Sequence, residues 1–270
     1  MSRIKATLEG IKQHGEKALI TFLTAGDPDL PTSAKLIHSL VEGGVDLIEL
    51  GIPFSDPMAD GPTIQAASER ALAAGATLRG VLELVRDVRR YTNVPLVLMG
   101  YYNPVLQYGP ERFAADAAEV GVDGLLLVDL PPEEAEELHP WLKSAGIDLI
   151  TLLAPTTEEP RRSQLAAAAE GFLYYVSMTG VTGSQRVDAG AISRDVEQLR
   201  QLSPVPVAVG FGVSTAEDAR AIASFSDAVV VGSALVQLIA EYGASPGLYD
   251  EVRAFAADLK GAVSQASPSA

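Results

Sequence analysis

The sequence predicts one kind of α/β fold, a single (β/α)₈ barrel with an extra helix before the first strand. Short apolar segments recur along the chain, and each is followed by a longer segment with helical periodicity. Continuous apolar segments are typical of parallel strands that are buried on both faces. Eight of them occur, at residues 18–24, 46–51, 95–101, 124–130, 148–154, 172–177, 205–210 and 228–232. They leave no residues for a second domain, so we expect one barrel domain over 1–262 and a disordered tail over 263–270.

The segments between these strands carry helix start and stop signals. The N-terminal segment places Ile4, Leu8 and Ile11 on one helical face, which predicts the extra helix. Four further segments begin with proline, acidic or capping residues, and three of them end in glycine. These are PTSAKLIHSLVEGG (31–44), PERFAADAAEVG (110–121), PPEEAEELHPWLKSAG (131–146) and STAEDARAIASF (214–225).

A doubly wound open sheet is the alternative fold. Such a sheet usually has a glycine-rich loop after its first strand, and here that loop is TAGDPDLP, residues 24–31. This loop does not match the dinucleotide-binding pattern, which favours the barrel.

Composition excludes several classes of function. The 270 residues include 20 Lys and Arg against 35 Asp and Glu, a net charge of −15 that disfavours nucleic acid and anionic membranes as partners. The absence of cysteine excludes disulfides, thiolate nucleophiles and cysteine metal sites, and three scattered histidines argue against a structural metal site. No secretory signal or membrane-length apolar segment is present, so we expect a cytoplasmic protein.

Glu49 is the first candidate for catalysis, because barrel enzymes place catalytic groups at the C-terminal ends of their strands. If Ile48 and Leu50 face the helices, strand alternation directs Glu49 into the barrel lumen. Burial there would raise the pKa of its carboxyl group, which suits a general acid–base. The alternative is a structural glutamate paired with a lysine or a backbone amide.

Asp60 follows in a loop that holds Pro53, Pro57 and Pro62. Asp60 could be a residue at the entry of a helix, but Pro62 favours the first helical position and makes Gly61 the expected cap. The prolines restrict the loop and would aim the Asp60 carboxylate. At the tip of this loop, Asp56 and Pro57 are either a solvated turn, which the residues alone favour, or a contact surface for a partner.

Three glycine-rich loops follow the sixth, seventh and eighth strands. They are SMTGVTGSQ (177–185), GFGVS (210–214) and GSAL (232–235). Loops at these strands commonly form the phosphate site of a barrel, where backbone N–H groups and a helix N-terminus hold the anion. Hydroxyls such as that of Ser233 would assist.

Aromatic residues mark the same end of the barrel. Tyr174 and Tyr175 point to opposite faces of their strand. Phe22, either Leu98 or Met99, and Tyr101 could line the mouth, although ordinary barrel filling also explains them. The residues alone therefore predict a barrel enzyme that acts on a phosphorylated small molecule. They leave its reaction open.

The segment IELGIPFSDPMADGPTIQ, residues 48–65, resembles the tryptophan synthase alpha chain family. Further segments resemble that family in the same order: FLTAGDP, MGYYNPV, LLLVDLPPEE, YYVSMTGVTG, VAVGFGVS and VVVGSALV. The resemblance covers residues 17–236. It implies a lyase that cleaves indole-3-glycerol phosphate to indole and glyceraldehyde 3-phosphate without a cofactor.

The resemblance also implies roles for individual residues. Glu49 and Asp60 are the expected catalytic carboxylates. Thr182 belongs to an expected mobile lid that would bond Asp60 on closure. The other expected substrate-binding residues are Phe22, Met99, Tyr101, Tyr174, Gly183, Gly212, Gly232 and Ser233.

A partner is implied as well, a beta chain that receives the indole and carries pyridoxal phosphate, PLP, in an alpha₂beta₂ heterotetramer. The expected contacts are Asp56, Pro57, Asn103, Asp129 and Pro131. Three alternatives remain: another phosphate-binding barrel enzyme such as a phosphosugar isomerase, a non-catalytic regulatory subunit, and a stand-alone lyase that releases indole.

Overall fold

The structure, a computed structural model, describes residues 2–176, 189–210 and 212–266. Within them a parallel sheet has the strand order β5-β4-β3-β2-β1-β9-β8-β7-β6. The strands are β1 (Ala18–Thr24), β2 (Leu47–Gly51), β3 (Leu96–Gly100), β4 (Gly124–Leu127), β5 (Asp148–Leu149), β6 (Thr151–Leu153), β7 (Leu173–Val176), β8 (Val207–Gly210) and β9 (Ala228–Val231). Each of the eight predicted strands is present, which confirms the barrel and excludes the open sheet.

The predicted fifth strand is interrupted, which corrects the continuous strand expected over 148–154. Its first segment, β5, pairs with β4, and its second, β6, pairs with β7. Only Ile150 separates the two segments, and its N–H donates to the Leu125 carbonyl over 2.9 Å. The two ends of the sheet therefore meet at Ile150, and the sheet closes into a barrel.

Helices surround this barrel. They are α1 (Arg3–Gln13), α2 (Leu30–Glu42), α3 (Pro62–Ala73), α4 (Leu78–Val88), α5 (Tyr102–Tyr108), α6 (Pro110–Val120), α7 (His139–Ala145), α8 (Arg161–Ala167), α9 (Ala189–Leu202), α10 (Ala216–Ala223), α11 (Ser233–Tyr242) and α12 (Leu248–Ser264). A 3₁₀ helix covers Pro132–Glu137. None of the helices within the described residues is both long enough and apolar enough to cross a membrane.

The predicted helix ends are confirmed where glycine or a capping box marks them. Gly43 caps α2, and Gly121, with φ +95°, caps α6 in the left-handed region that glycine adopts without strain. The Thr215 hydroxyl and the Asp218 carboxylate form a reciprocal capping box at the start of α10.

The helix predicted over 131–146 was wrong as one element. The structure divides it into the 3₁₀ helix and α7, with Leu138 between them. Pro140 explains the division, because it has no N–H to donate and its ring would collide with the carbonyl four residues earlier in a continuous helix.

Two apolar layers hold the barrel together. The inner layer fills the lumen and includes Ile20, Leu47 and Val97, and α1 closes its lower end with Ile4 and Leu8. The outer layer packs the strands against the helices. This contact confirms the prediction that the apolar residues of α1 lie on one face of the helix. The predicted tail, 263–270, overlaps the end of α12, and its last four residues lie outside the described residues.

Candidate active site

Glu49 lies inside the barrel, as strand alternation predicts. Its neighbours Ile48 and Leu50 belong to the outer layer, whereas Leu47 belongs to the lumen. On the adjacent strands Phe22 and Val97 are its partners in register. The Glu49 side chain is 0% exposed, so the sequence of β2 places a carboxyl group in an apolar interior.

The Glu49 carboxyl group has no compensating contact in the described part of the chain. Both of its oxygens are buried and lack a hydrogen-bond partner there. Burial raises its pKa from 4.5 to about 8. A carboxyl group in this state is protonated at neutral pH, and it can donate a proton and later accept one. The structural alternative, a glutamate paired with lysine or backbone amide, finds no support among the described residues.

The loop that carries Asp60 is held in place from α3. Gly61 caps this helix and Pro62 occupies its first turn, which confirms the predicted start. The Gln65 side-chain amide donates to the Asp60 carbonyl over 2.8 Å and to the Pro57 carbonyl over 3.4 Å. Asp60 is therefore not the cap of α3 but the last residue of a braced loop.

Tyr101 contacts the same loop from the C-terminal end of β3. Its hydroxyl accepts the Ala59 N–H over 3.0 Å. Burial raises the pKa of the Asp60 carboxyl group, and a hydrogen bond with the Tyr101 hydroxyl opposes this rise. Burial also raises the pKa of Tyr101 itself, so its phenol stays protonated and can donate.

A pocket opens at this end of the barrel. Its lining residues are Phe22, Thr24, Gly51, Ile52, Asp60, Ile64, Ser68, Met99, Gly100, Tyr101 and Val128. The pocket thus brings Asp60 together with three of the expected substrate-binding residues, Phe22, Met99 and Tyr101. Its volume is about 20 Å³, which is room for a water molecule but not for an aromatic ring. A ring can enter only if lining side chains move.

Tyr174 and Tyr175 take the opposite directions that alternation predicts. Tyr174 packs in the lumen and Tyr175 packs against the helices. The hydroxyl of Tyr175 donates to Asp195 over 2.5 Å. Tyr174 lies close enough to Glu49 for the charged carboxylate to raise the pKa of its phenol, after the larger effect of burial. Glu49 and Tyr174 are not among the described residues that line the pocket.

The predicted phosphate loops are described only in part. Thr182 and Gly183 lie outside the described residues, as does the rest of 177–188. Gly212 is exposed and has φ +62°, a conformation that favours glycine. Gly232 is the residue before α11, and no side chain of the described residues caps this ten-residue helix, so its first backbone N–H groups have no capping partner among those residues.

Gly232 links these N–H groups to the aromatic pocket. A Cβ added at Gly232 would lie 3.5 Å from the Cβ of Phe22. The start of α11 is therefore next to the ring that also flanks Glu49. A ligand with an anionic group at α11 and a ring near Phe22 would span from the helix N-terminus to the pocket.

The residues predicted to contact a partner lie at the same end of the molecule. Asp56, Asn103 and Asp129 are exposed, whereas Pro57 and Pro131 are partly buried. Asp129 accepts the Tyr102 N–H over 2.8 Å, so it is fixed to the start of α5. These residues therefore share the face onto which the pocket opens.

Two residues near the pocket were not assigned a role from the sequence. Thr24 ends β1, is 2% exposed, and its hydroxyl has no hydrogen-bond partner among the described residues. Gln65 braces the Asp60 loop, as above. The position of Thr24 at the C-terminal end of a strand could have predicted its place near the pocket. The role of Gln65 could not be predicted, because the direction of its amide depends on the loop conformation.

Metal ligands are not grouped at this site. Across residues 2–176, 189–210 and 212–266, no three His, Asp or Glu side chains are placed to hold a metal ion. The chemistry available from the described side chains is proton transfer by Glu49, stabilisation of positive charge by Asp60, and anion binding at α11.

Comparison with known proteins identifies the family to which the chain belongs. The family profile named tryptophan synthase alpha chain matches residues 8–264. The chain is 54% identical to the tryptophan synthase alpha chain of Geotalea uraniireducens (strain Rf4) over 97% of this chain and 98% of that protein. It is 50% identical to that of Burkholderia multivorans (strain ATCC 17616 / 249) over all of both chains.

Solved structures give the same result. Tryptophan synthase subunit alpha from Legionella pneumophila str. Paris superimposes with a TM-score of 0.91 at 42% identity, over 97% of this chain and 98% of that one. A chain of the aminoacrylate-bound form of tryptophan synthase from M. tuberculosis superimposes with a TM-score of 0.87 at 36% identity, over 97% and 100%. The barrel, the buried glutamate and the near-complete coverage lead to one conclusion: the chain belongs to the tryptophan synthase alpha chain family.

Proposed function

We propose that this chain is a carbon–carbon lyase of tryptophan synthesis that cleaves indole-3-glycerol phosphate to indole and glyceraldehyde 3-phosphate. One observation carries the proposal in a chain of this family. The carboxyl group of Glu49 is fully buried and unpaired among the described residues, and burial raises its pKa to about 8. A proton donor of this kind is what cleavage of an unactivated indole side chain needs.

Glu49 acts twice in the proposed reaction. The protonated carboxyl group first gives its proton to C3 of the indole, which converts the ring to a cationic indolenine. The resulting carboxylate then takes the proton of the side-chain hydroxyl next to C3. As the aldehyde C=O forms, the carbon–carbon bond breaks and its electron pair returns to the ring. Indole and glyceraldehyde 3-phosphate leave, and Glu49 is protonated again.

Asp60 stabilises the intermediate. Protonation at C3 places positive charge on the indole nitrogen, and the Asp60 carboxylate accepts the N–H hydrogen bond as that charge develops. The Tyr101 hydroxyl supports its ionised form, because hydrogen bonding to it lowers the Asp60 pKa against the effect of burial. Phe22, Met99 and Tyr101 hold the ring, and Tyr174 packs beside Glu49.

The phosphate is held at the start of α11. The backbone N–H groups that follow Gly232, the Ser233 hydroxyl and the helix dipole supply an anion site. Gly212 is proposed to line this site from the adjacent strand end, and Gly183 and Thr182 from a loop outside the described residues.

The partner in this proposal is a beta chain, which takes up the indole and carries the PLP; the alpha chain itself contributes no cofactor. The proposed contact residues are Asp56, Pro57, Asn103, Asp129 and Pro131. Met58, at the tip of the same loop, is 86% exposed, a large apolar side chain that a partner would cover. The expected assembly is an alpha₂beta₂ heterotetramer.

The test is indole release from indole-3-glycerol phosphate by the purified chain, alone and with a beta chain added. We expect slow release that rises at least about tenfold with the partner, because contact at the Asp60 loop would restrict that loop. Equal, fast release in both conditions would indicate a stand-alone lyase. Binding without release in either condition would indicate a regulatory subunit and overturn the proposal.

A further inference from the structure

A second cavity lies at the opposite end of the barrel from the candidate active site. Its volume is about 170 Å³, and its lining residues are Leu8, Ile11, Lys12, Gly15, Glu16, Lys17, Arg200, Pro206 and Asp227. Three of these residues directly precede a strand: Lys17 precedes β1, Pro206 precedes β8 and Asp227 precedes β9. The cavity therefore lies at the N-terminal ends of these strands. We call it the lower cavity.

One of the two acids that line the lower cavity, Asp227, is already neutralised. Asp227 accepts from Arg200, with its Oδ1 2.9 Å from the Arg200 guanidinium and its Oδ2 3.2 Å from the Arg200 Nε. The Val207 N–H donates to the same Oδ2 over 3.0 Å. Arg200 and Asp227 therefore form a satisfied pair, and their charges cancel.

Two ammonium groups at the cavity are left without such a partner in the described part of the chain. Neither Lys12 nor Lys17 forms an ion pair there, although the chain carries a net charge of −15. Lys17 is partly buried. Its pKa is lowered by burial first, Asp227 opposes this, and Arg200 and Lys12 lower it further.

Glu16 also lines the cavity, but it balances only one of these two positive charges. The charge of Glu16 helps to raise the pKa of Asp46, but Glu16 is not among the groups that shift the pKa of Lys17. The Arg200–Asp227 pair is neutral, and Lys12 and Lys17 carry two positive charges against the one negative charge of Glu16. The cavity therefore has one excess positive charge. Because an exposed lysine is solvated easily, the partly buried Lys17 is the group that gains most from an anion.

The rest of the wall is apolar. Leu8 and Ile11 come from the face of α1 that closes the lumen, and Pro206 comes from the segment before β8. We propose that the lower cavity binds a small organic monoanion, a carboxylate on an apolar body, with the carboxylate against Lys17 and Lys12 and the body against Leu8, Ile11 and Pro206. This ligand site is separate from the proposed lyase site and does not rest on that proposal.

The test measures the NMR signals of the lysine side chains while a carboxylate is added. The chain has six lysines, at positions 5, 12, 17, 35, 143 and 260, so ¹³Cε-lysine NMR resolves each of them. Benzoate is titrated into the full-length protein at constant ionic strength, and acetate is the matched probe with the same charged group and almost no apolar body. We expect saturable shifts at Lys17 and Lys12, with benzoate bound at least about tenfold more tightly than acetate.

Two variants make the test specific. Lys17→Met should weaken benzoate binding, followed at Lys12, by at least about tenfold. Lys143→Met, at an exposed position on α7, should leave it unchanged. The proposal is overturned if all six lysines shift linearly together, if acetate and benzoate bind equally, or if Lys17→Met has no effect. Because the signals come from the lower cavity, these results are independent of the indole-release assay.

Discussion

Glu49 combines two properties that a structural residue would not keep. Its carboxyl group is buried without a hydrogen bond among the described residues, which costs free energy, and it lies in a barrel lumen that a cluster of apolar side chains fills. Strand alternation was sufficient to predict its direction. Its distance from Asp60 depends on the loop between them, and the sequence did not contain that information in a readable form.

The pKa of Glu49 predicts how stability depends on pH. A carboxyl group whose pKa is raised from 4.5 to about 8 on folding is neutral in both states below pH 4.5. As pH rises to about 8 the unfolded state ionises first, so the wild type loses stability over this window. Glu49→Gln stays neutral, so its stability relative to wild type should rise by on the order of 4 kcal/mol from pH 4.5 to pH 8.

Urea unfolding of both proteins across this pH window measures the difference. Glu83→Gln is the matched control, since Glu83 is exposed on α4 and the same chemical change is made there at the surface. A relative stability of Glu49→Gln that does not change with pH would show that Glu49 is ionised at its ordinary pKa in the folded protein.

The same group predicts the pH profile of the reaction. The first step needs the protonated carboxyl group, so kcat/KM, which reports the free enzyme, should be level from about pH 7 to about pH 8 and fall about tenfold per pH unit above it. Steady-state lysis measured between about pH 7 and about pH 10 gives this profile. A level kcat/KM through the alkaline range would mean that Glu49 does not supply the proton.

At the level of helices and strands, the site depends on how α3 holds the preceding loop. The Gly61 cap and the place of Pro62 in the first turn of α3 were readable from the sequence, and both are confirmed. The Gln65 contacts were not, because an amide side chain can bond in many directions and only the folded loop selects one. The break at Ile150 shows the same limit, since it depends on the neighbouring strands, whereas the division before Pro140 was readable, because a proline inside a helical segment divides or ends the helix.

Gln65 therefore offers a test of loop positioning. Gln65→Met keeps the side-chain length and helix propensity but removes the bonds to the Asp60 and Pro57 carbonyls. We expect kcat to fall about tenfold with a smaller change in KM, because a displaced Asp60 loses contact mainly with the charged intermediate.

The control for this variant is Gln201→Met, at an exposed position near the end of α9. Single-turnover lysis of both variants with saturating substrate separates chemistry from binding. If Gln65→Met cleaves substrate as fast as Gln201→Met, the amide contacts do not position Asp60.

In the whole molecule, the two ends of the barrel carry different features. The pocket, the start of α11 and the exposed loop tip with Met58 share the C-terminal strand ends. The opposite end is closed by α1, whose apolar face seals the lumen. Closure of the barrel was predictable because eight buried strands alternate with helices. The lower cavity was not, since it arises where α1, β8 and β9 meet.

The measurement that tests this account most directly is indole release by Glu49→Gln, assayed with a saturating beta chain beside the wild type. The amide keeps the shape of the carboxyl group but cannot transfer a proton, so we expect release to fall at least about 10³-fold while the variant still binds indole-3-glycerol phosphate with near-normal affinity. Turnover within a few fold of the wild type would contradict the assignment of Glu49 as the acid and base.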